Sequence, residues 1–299
     1  MKSNCLVTGG CGFIGSHLVD RLIEEGHKVF VADNLSSTAH EEFYYNPLAI
    51  YLKCDIINLK PSQMKDVDYV FHLAAESRIP ACLDNPALAI STNVQGTCHL
   101  LDLAKRNGVK RFLFSSTSSV YGNEGKIPSR EQDKKDCLNP YSITKSAGED
   151  FCKMYFDLYG LETIIFRYFN VYGERQPTKG QYAPVVGLFQ KQYSQGDSMT
   201  IVGDGEQTRD YVHVSDVVEA NVLAMKVENH GGEIFNIGTS ERYSVLDVAR
   251  MVGGDDAELT FLPQREGEAR HTLASVTQSR ESLLWKPKVN LKQWIKENR

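Results

Sequence analysis

Short apolar runs alternate along the first half of the chain with stretches in which apolar residues recur at helical spacing. Residues 4–8 form one such run, and Ile14, Leu18 and Leu22 then follow at intervals of one helical turn. Further apolar runs cover residues 28–32, 49–54, 69–75 and 111–115, and a helical stretch covers 92–106. Strands that alternate with helices in this way are typical of an α/β fold. The pattern therefore predicts a doubly wound parallel sheet with helices on both faces.

A glycine-rich turn separates the first predicted strand from the first predicted helix. Gly9, Gly12 and Gly15 let the backbone turn tightly, approach a pyrophosphate and bring helix close to strand, while amides at the helix start bind phosphate. The second predicted strand ends in Asp33, a carboxylate that suits a ribose 2′-hydroxyl and repels a 2′-phosphate. The sequence therefore predicts a Rossmann domain that binds NAD rather than NADP.

Small and acidic residues follow the other predicted strands. Asp55, Ala74, Ala75 and Ser115 come where strands end, and ligands of such sheets lie beyond the carboxyl ends of the strands. We expect these positions to contact the adenine or the nicotinamide. The alternatives are a solvated loop acid at position 55 and a tightly packed turn at positions 74 and 75.

Composition narrows the class of protein. Of the 299 residues, 41% are hydrophobic, which is enough to fill a core. The net charge is -5, and the basic residues are dispersed and form no basic stripe. We therefore expect that the protein binds neither nucleic acid nor a membrane surface. The seven cysteines have irregular spacing and are expected to be reduced thiols, and no histidine cluster indicates a metal site. Without a leader or an apolar run of membrane length, we expect a cytoplasmic enzyme or binding protein.

The segment from Asn139 to Lys145 carries candidate chemistry. Pro140 is favourable at a helix start, and the spacing of four between Tyr141 and Lys145 puts phenol and ammonium on one face. A neighbouring cation favours the phenolate, which would act as a general base. The alternative is an ordinary exposed helix, because 14 tyrosines and 33 basic residues give about one chance match.

Motifs spread over nearly the whole chain carry a family resemblance. They are TGGCGFIG (8–15), HLAA (72–75), SSTSSVYG (115–122), NPYSITK (139–145), RYFNVYG (167–173), RDYVHVSDV (209–217), FNIG (235–238) and REGEARHT (265–272). Together they resemble the extended short-chain dehydrogenase/reductase family, especially its nucleotide-sugar epimerases and dehydratases. The resemblance implies NAD held throughout the cycle, Tyr141 as base, Lys145 on the nicotinamide ribose with a lowering effect on the tyrosine pKa, and Thr117 on the reacting sugar hydroxyl.

The cofactor-binding residues that we expect come from the glycine turn, the strand ends and the catalytic helix. They are Gly9, Gly12, Phe13, Ile14, Gly15, Asp33, Asn34, Ser36, Asp55, Ile56, Leu73, Ala74, Ala75, Asn93, Ser115, Tyr141, Lys145 and Tyr168.

The residues after Thr117 separate the reactions of the family. Dehydratases resemble one another in an Asp-Glu pair there, and UDP-glucuronate decarboxylases carry a Glu in this stretch, whereas this chain has Ser118 and Ser119. Two hydroxyls without an activator do not perform that proton transfer at useful rates. We therefore expect 4-epimerisation of a nucleotide sugar through a 4-keto intermediate. A dehydratase, decarboxylase or reductase is the alternative enzyme, and an NAD-binding regulator without catalysis is the alternative of another class.

The resemblance also implies how the nucleotide sugar is held. Asn170, Arg209 and Arg265 match the positions that bind the diphosphate, and guanidinium groups suit phosphate oxygens. Thr272 matches a gate beside the sugar's C2, where a small side chain leaves space for an N-acetyl group. The expected substrate-binding residues are Thr117, Asn170, Val202, Arg209, Arg265 and Thr272. The expected substrates are UDP-N-acetylglucosamine and UDP-N-acetylgalactosamine, with UDP-glucose and UDP-galactose as further candidates.

We expect two domains in the chain. Residues 1–172 form the NAD-binding domain, to which the chain returns near 210–239, and residues 173–299 form a smaller α/β substrate domain, after a turn-rich boundary at 174–182. The helices 92–106 and 142–159 resemble those of the family's homodimer interface, so a homodimer is expected.

Some residues depart from the family or have two interpretations. Ser275, Gln278 and Leu284 stand where Asp, Lys and Gly are usual, which puts the fold of the tail in doubt. Glu76 and Arg78 either contact the sugar or form an ion pair that orients their loop.

Overall fold

A parallel sheet of seven strands forms the centre of the molecule. The computed structural model describes residues 2–178, 183–227 and 231–298. The strands of this sheet are β1 (Asn4–Thr8), β2 (Lys28–Asp33), β3 (Ile50–Lys53), β4 (Tyr69–His72), β5 (Arg111–Thr117), β6 (Glu162–Tyr168) and, later in the chain, β11 (Glu233–Ile237). Their order across the sheet is β11-β6-β5-β4-β1-β2-β3, and every neighbouring pair is parallel. The order reverses between β1 and β4, so this is the doubly wound Rossmann arrangement that the sequence predicts.

Shorter strands build three small two-stranded sheets. They are β7 (Asn170–Tyr172) with β10 (Tyr211–His213), β9 (Thr208–Arg209) with β12 (Tyr243–Ser244), and β8 (Met199–Val202) with β13 (Leu259–Leu262). The helices are α1 (Phe13–Glu24), α2 (Pro61–Met64), α3 (Ile79–Asp84), α4 (Pro86–Ile90), α5 (Gly96–Arg106), α6 (Pro140–Tyr159), α7 (Val185–Gln195), α8 (Val214–Lys226), α9 (Val245–Gly253), α10 (Thr277–Ser282) and α11 (Leu291–Glu297).

Helix α6 has the sequence signals of a well-defined helix at both ends. The Asn139 side chain accepts a hydrogen bond from the amide of Ser142 at 2.8 Å, and Pro140 occupies the first helical position. Gly160 ends the helix in the left-handed conformation at φ +68. Because both ends are fixed, Tyr141 and Lys145 keep a defined position relative to the edge of the sheet.

The hydrophobic core is divided among both faces of the sheet and the second half of the chain. One cluster on the sheet contains Phe71, Phe166 and Trp285, and another contains Leu100, Phe112 and Phe114. A third cluster joins side chains of α7, α9 and α11, among them Phe189 and Ile295. Trp285 packs with the sheet and Tyr172 with the third cluster, so the division into residues 1–172 and 173–299 stays a prediction. The return of the chain near 210–239 brings β11 into the main sheet beside β6.

Element boundaries differ from the expected ones at a few places. The apolar run over residues 69–75 pairs only over Tyr69–His72, because the amide of Ala74 donates to the Thr8 hydroxyl at 3.2 Å instead of continuing the backbone pairing. The stretch expected as a helix over 92–106 begins with a π-helical turn at Ser91–Gln95. The turn-rich boundary at 174–182 lies partly outside the described residues.

The tail contains one residue under backbone strain. Leu284 has a φ of +53 and is 84% exposed, at a position where the resemblance implies Gly. A left-handed conformation costs a residue with a Cβ roughly 1–2 kcal/mol. The tail is nevertheless anchored, because the indole of Trp285 donates to the carbonyl oxygen of Asp216 at 2.8 Å and the amide of Ser275 donates to that of Ser129 at 2.8 Å.

Candidate active site

The glycine turn lies where β1 meets α1. Gly9 has a φ of +69, and a Cβ there would lie 2.8 Å from the amide nitrogen of Ala74. A Cβ on Gly15 would lie 2.2 Å from the carbonyl oxygen of Gly9, so helix and turn touch only because position 15 has no side chain. Phe13 and Ile14 form the first turn of α1, whose backbone amides suit a phosphate.

Asp33, at the end of β2, supports the glycine turn directly. One carboxylate oxygen accepts from the amide of Cys11 at 3.0 Å and the other from the amide of Leu35 at 2.9 Å. A carboxylate has about four acceptor sites, so Asp33 keeps capacity for ribose hydroxyls. Nearby, Asn34 donates to Asp55 at 3.0 Å and accepts from the amide of Ser36 at 3.1 Å. This hydrogen-bonded group lies along the edge where NAD is expected.

Two of the expected cofactor residues point into the protein instead. The Ile56 side chain is buried and lies so close to Gly96 that a Cβ there would come within 2.6 Å of it. The Asn93 amide donates to the carbonyl oxygen of Glu76 at 2.9 Å and to the Thr144 hydroxyl at 3.0 Å. Asn93 thus links the loop after β4 to helix α6, and its cofactor contact stays a prediction.

A cleft of about 420 Å³ opens at the carboxyl edge of the sheet and extends to the second half of the chain. A volume of this size is typical of small-molecule sites. The predicted residues that line it are Thr117, Tyr141, Tyr168, Asn170, Val202, Arg209, Arg265 and Thr272. The structure therefore brings the predicted catalytic tyrosine and the predicted substrate residues to one place.

The three candidate catalytic side chains meet between β5 and α6. Thr117 ends β5, and its hydroxyl donates to the Ser119 hydroxyl at 3.2 Å. The Lys145 ammonium donates to the carbonyl oxygen of Ser115 at 2.8 Å and lies 4.9 Å from the centre of the Phe114 ring. Burial lowers the pKa of Lys145 to about 8.

The pKa of the Tyr141 phenol differs from the expectation. Burial raises its pKa to about 12, a hydrogen bond with Thr117 acts in the opposite direction, and repulsion by Cys82 adds to the rise. The resemblance implied a lowering by Lys145, but desolvation of the phenolate dominates here. Tyr141 must therefore lose this proton before its oxygen can act as a base.

Two arginines share one carboxylate at the other end of the cleft. Arg209 lies 3.5 Å and Arg265 3.6 Å from opposite oxygens of Glu268. Arg209 also donates to the carbonyl oxygens of Thr208 at 3.0 Å and Arg270 at 3.1 Å, which fixes its guanidinium. Among the described residues that line the cleft, Glu268 is the only carboxylic acid, so no carboxylate stands beside Thr117.

Thr272 stands between the cleft and a second cavity. Its hydroxyl accepts from the amide of Asp210 at 3.3 Å, and its own amide donates to the carbonyl oxygen of Thr208 at 3.0 Å. The second cavity has about 230 Å³, and Ser118, Phe169 and Thr272 line both spaces. Only small side chains and one ring therefore separate the cleft from additional volume.

Some cleft residues were not predicted from the sequence as site residues. They include His40, Tyr172, Gln207, Tyr211 and Glu268. Glu268 lies inside the REGEARHT motif, and an acidic residue close to two arginines in the sequence was the signal that could have identified it as a site residue. The hydroxyls of Tyr172 and Tyr211 are buried and have no hydrogen-bond partner within the described part of the chain. The burial of these two hydroxyls can be recognised only in the folded structure.

The described residues contain no helix long and apolar enough to cross a membrane. They also contain no group of three or more His, Cys, Asp or Glu side chains arranged to hold a metal ion. The seven cysteines, all of which lie among the described residues, form no disulfide with one another.

Comparison with known proteins places this site in context. The model of the NAD dependent epimerase/dehydratase family matches residues 5–238. A putative UDP-glucose 4-epimerase of Methanocaldococcus jannaschii is 39% identical over 97% of this chain and 95% of its own length. A UDP-N-acetyl-alpha-D-glucosaminuronate decarboxylase of Bacillus cytotoxicus is 36% identical, over 99% of this chain and 97% of its own. The structure of UDP-N-acetylglucosamine 4-epimerase from Methanobrevibacter ruminantium, in complex with UDP-N-acetylmuramic acid, has a TM-score of 0.92 and 32% identity, with 99% of this chain and 97% of that chain covered.

Proposed function

The chain belongs to the NAD dependent epimerase/dehydratase family, and from that membership we propose that it is an isomerase that epimerises a nucleotide-diphosphate sugar at C4. NAD is the cofactor that the family's description names, and the glycine turn with Asp33 fits it. One observation carries the choice of reaction: among described residues that line the cleft, the only carboxylate is Glu268, which lies between two arginines. Epimerisation needs no second acid or base beside Tyr141.

The side chains support a simple division of roles. Thr117 donates a hydrogen bond that orients the C4 hydroxyl, and the Tyr141 oxygen accepts its proton and later returns one to the keto oxygen. Lys145, fixed on the carbonyl oxygen of Ser115, supplies positive charge near the phenolate that forms. NAD, which the glycine turn and Asp33 would hold, would supply the acceptor and donor of the C4 hydride. Arg209 and Arg265 hold the diphosphate while the keto sugar turns its other face.

Decarboxylation is the second candidate reaction, because relatives of similar identity include a decarboxylase. That reaction and the elimination of water both need further acid–base groups close to the sugar. Ser118 and Ser119 occupy the positions after Thr117, and both line the cleft. We therefore rank a dehydratase, decarboxylase or reductase below an epimerase. A regulator that binds NAD without catalysis ranks last, because Thr117, Tyr141 and Lys145 are all present.

The substrates that we propose are UDP-N-acetylglucosamine and UDP-N-acetylgalactosamine, with UDP-glucose and UDP-galactose as further candidates. Two observations support an N-acetyl group. Thr272 is small where the cleft meets the second cavity, and that cavity of about 230 Å³ exceeds the volume of an acetamido group. The solved relative from Methanobrevibacter ruminantium is a UDP-N-acetylglucosamine 4-epimerase.

We further propose a cytoplasmic homodimer that uses helices α5 and α6. The apolar side chains Ile143, Leu158 and Tyr159 on α6 are about half to two-thirds exposed, and a second copy packed on this helix would bury them. Light scattering should give a dimer for the wild type and a monomer for Leu158→Glu. A monomeric wild type would contradict the proposed interface.

Product analysis tests the reaction. Incubation with UDP-N-acetylglucosamine should give UDP-N-acetylgalactosamine by NMR, and Tyr141→Phe should abolish conversion while bound NAD remains. A 4-keto-6-deoxy product, or release of carbon dioxide from a UDP-uronic acid without epimerisation, would refute the assignment.

For the gate, Thr272→Tyr should lower kcat/KM for the N-acetyl substrate relative to UDP-glucose. An unchanged ratio would discard the role of Thr272.

A further inference from the structure

Arg78 places a cation in the cleft that the reaction above does not use. It precedes α3 and lines the cleft together with Thr117 and Tyr141. Its guanidinium donates to the Thr38 hydroxyl at 3.0 Å, while the nearest oxygen of Glu76 lies 3.8 Å from Nε. An ion pair at that distance with a partly exposed side chain neutralises the guanidinium only weakly. Arg78 therefore retains charge and donors for an anion.

The loop that contains Thr38 lies against the glycine turn. The amide of Tyr44 donates to the carbonyl oxygen of Cys11 at 3.1 Å, which ties the end of the loop to the turn. Within the loop, the Nε2 atom of His40 lies 3.4 Å from the position that a Cβ on Gly12 would take. Burial lowers the pKa of His40, Asp33 opposes this effect, and Arg78 adds to the lowering. Arg78 is thus close enough to His40 to affect its pKa, and His40 in turn lies beside the glycine turn.

The glycine turn itself lacks the charge that a pyrophosphate requires. A dinucleotide carries two negative charges there, and a helix N-terminus supplies roughly half a positive charge. Residues 8–15, TGGCGFIG, contain no Lys or Arg. A guanidinium from another loop can supply the missing charge and bind two phosphate oxygens at once.

We propose that Arg78 is a further cofactor-binding residue, which binds the pyrophosphate of NAD while the amides at the start of α1 bind it from the glycine turn. Its hydrogen bond to Thr38 orients the guanidinium, and His40 of the same loop lies close to the turn. The inference needs NAD binding only and holds whichever reaction the enzyme performs.

The test measures the rate at which bound NAD leaves the holoenzyme. The exchange of bound NAD for an excess of fluorescent etheno-NAD reports this rate. Arg78→Gln should release NAD at least about tenfold faster, the effect expected when one charge-assisted hydrogen-bonded contact is lost. Direct binding of ADP-ribose, measured once NAD has been released, should weaken by a similar factor, whereas binding of adenosine, which has no phosphate, should not change. Arg250→Gln is the matched control, because this exposed arginine on α9 pairs with Asp247 outside the cleft.

An unchanged NAD release rate and unchanged ADP-ribose binding in Arg78→Gln would overturn the proposal. A rise in KM for UDP-glucuronate but not for UDP-glucose, without faster NAD release, would also overturn it and assign Arg78 to a sugar carboxylate. If Arg78→Gln does not fold, Arg78→Lys keeps the charge and loses the planar fork, so it should release NAD about threefold faster or more. A wild-type rate in that variant would equally refute the role.

Discussion

The ion pair between Glu149 and Arg167 gives the sharpest test of how the site is supported. The Glu149 carboxylate accepts from Arg167 Nε at 2.9 Å and Nη2 at 2.7 Å, and from the Ser116 hydroxyl at 2.6 Å. The two ionic side chains are 0% and 1% exposed. Burial alone would raise the pKa of Glu149, but Arg167 and Lys135 lower it, so the carboxylate is charged. Ser116 precedes Thr117, so this pair anchors the strand end that carries a proposed catalytic hydroxyl.

Glu149→Gln removes the charge at nearly constant volume and leaves Arg167 buried without its carboxylate. Loss of one partner of a buried pair costs about 3–5 kcal/mol, a large part of a typical total stability of roughly 5–15 kcal/mol. Arg167→Met should cost less, because Lys135 Nζ stays 3.2 Å from the Glu149 carboxylate. The double variant should then be more stable than the sum of the single losses implies.

Urea unfolding monitored by circular dichroism measures these free energies. Asp204→Asn is the control, since Asp204 and Arg270 form the same two-point contact with both side chains exposed. An exposed pair contributes about 0–1 kcal/mol, so this variant should remain close to the wild type. A loss below about 1 kcal/mol for Glu149→Gln, or additive losses in the double variant, would refute the reasoning.

Three further predictions follow from the same structure. Arg209→Ala and Arg265→Ala should each raise KM for the UDP-sugar at least about tenfold with NAD content unchanged; loss of NAD in both would indicate a structural role. Burial holds the pKa of Lys145 at about 8, below its ordinary 10.5, so the unfolded state binds the proton more strongly. The wild type should therefore gain stability relative to Lys145→Met as pH rises from 8 to 10, and a constant difference would contradict this sign. Leu284→Gly should raise the free energy of unfolding by about 0.5–1 kcal/mol, because it relieves a left-handed conformation at an exposed side chain; a decrease would show that the strain is absent.

The order of strands and helices in the first half was predictable because local signals agree there. The glycine turn, the Asp at the end of β2 and the capped start of α6 each follow from a few neighbouring residues. The substrate side was predictable only through the family resemblance, because Arg209 lies in a two-residue strand and Arg265 in a loop, and neither has a periodic pattern. Their shared contact with Glu268 depends on tertiary structure.

The contacts that were not predicted join residues distant in sequence. Asn93 reaches Thr144, and Arg78 reaches Thr38, across loops whose paths no local pattern determines. Arg167 left a signal, since a charged residue inside the apolar strand β6 requires a buried partner, but the sequence does not say which one. The pKa of Tyr141 was also beyond reach, because it depends on the degree of burial more than on the distance to Lys145.

The most direct test of the proposed reaction follows a deuterium label at C4 of UDP-N-acetylglucosamine. If Tyr141 removes the hydroxyl proton while bound NAD takes and returns the hydride, the UDP-N-acetylgalactosamine that forms should keep deuterium at C4. The same reaction with unlabelled substrate in D₂O should then place no deuterium on carbon. Loss of the label from C4, or deuterium entering the sugar from solvent, would contradict epimerisation by hydride return and favour elimination of water.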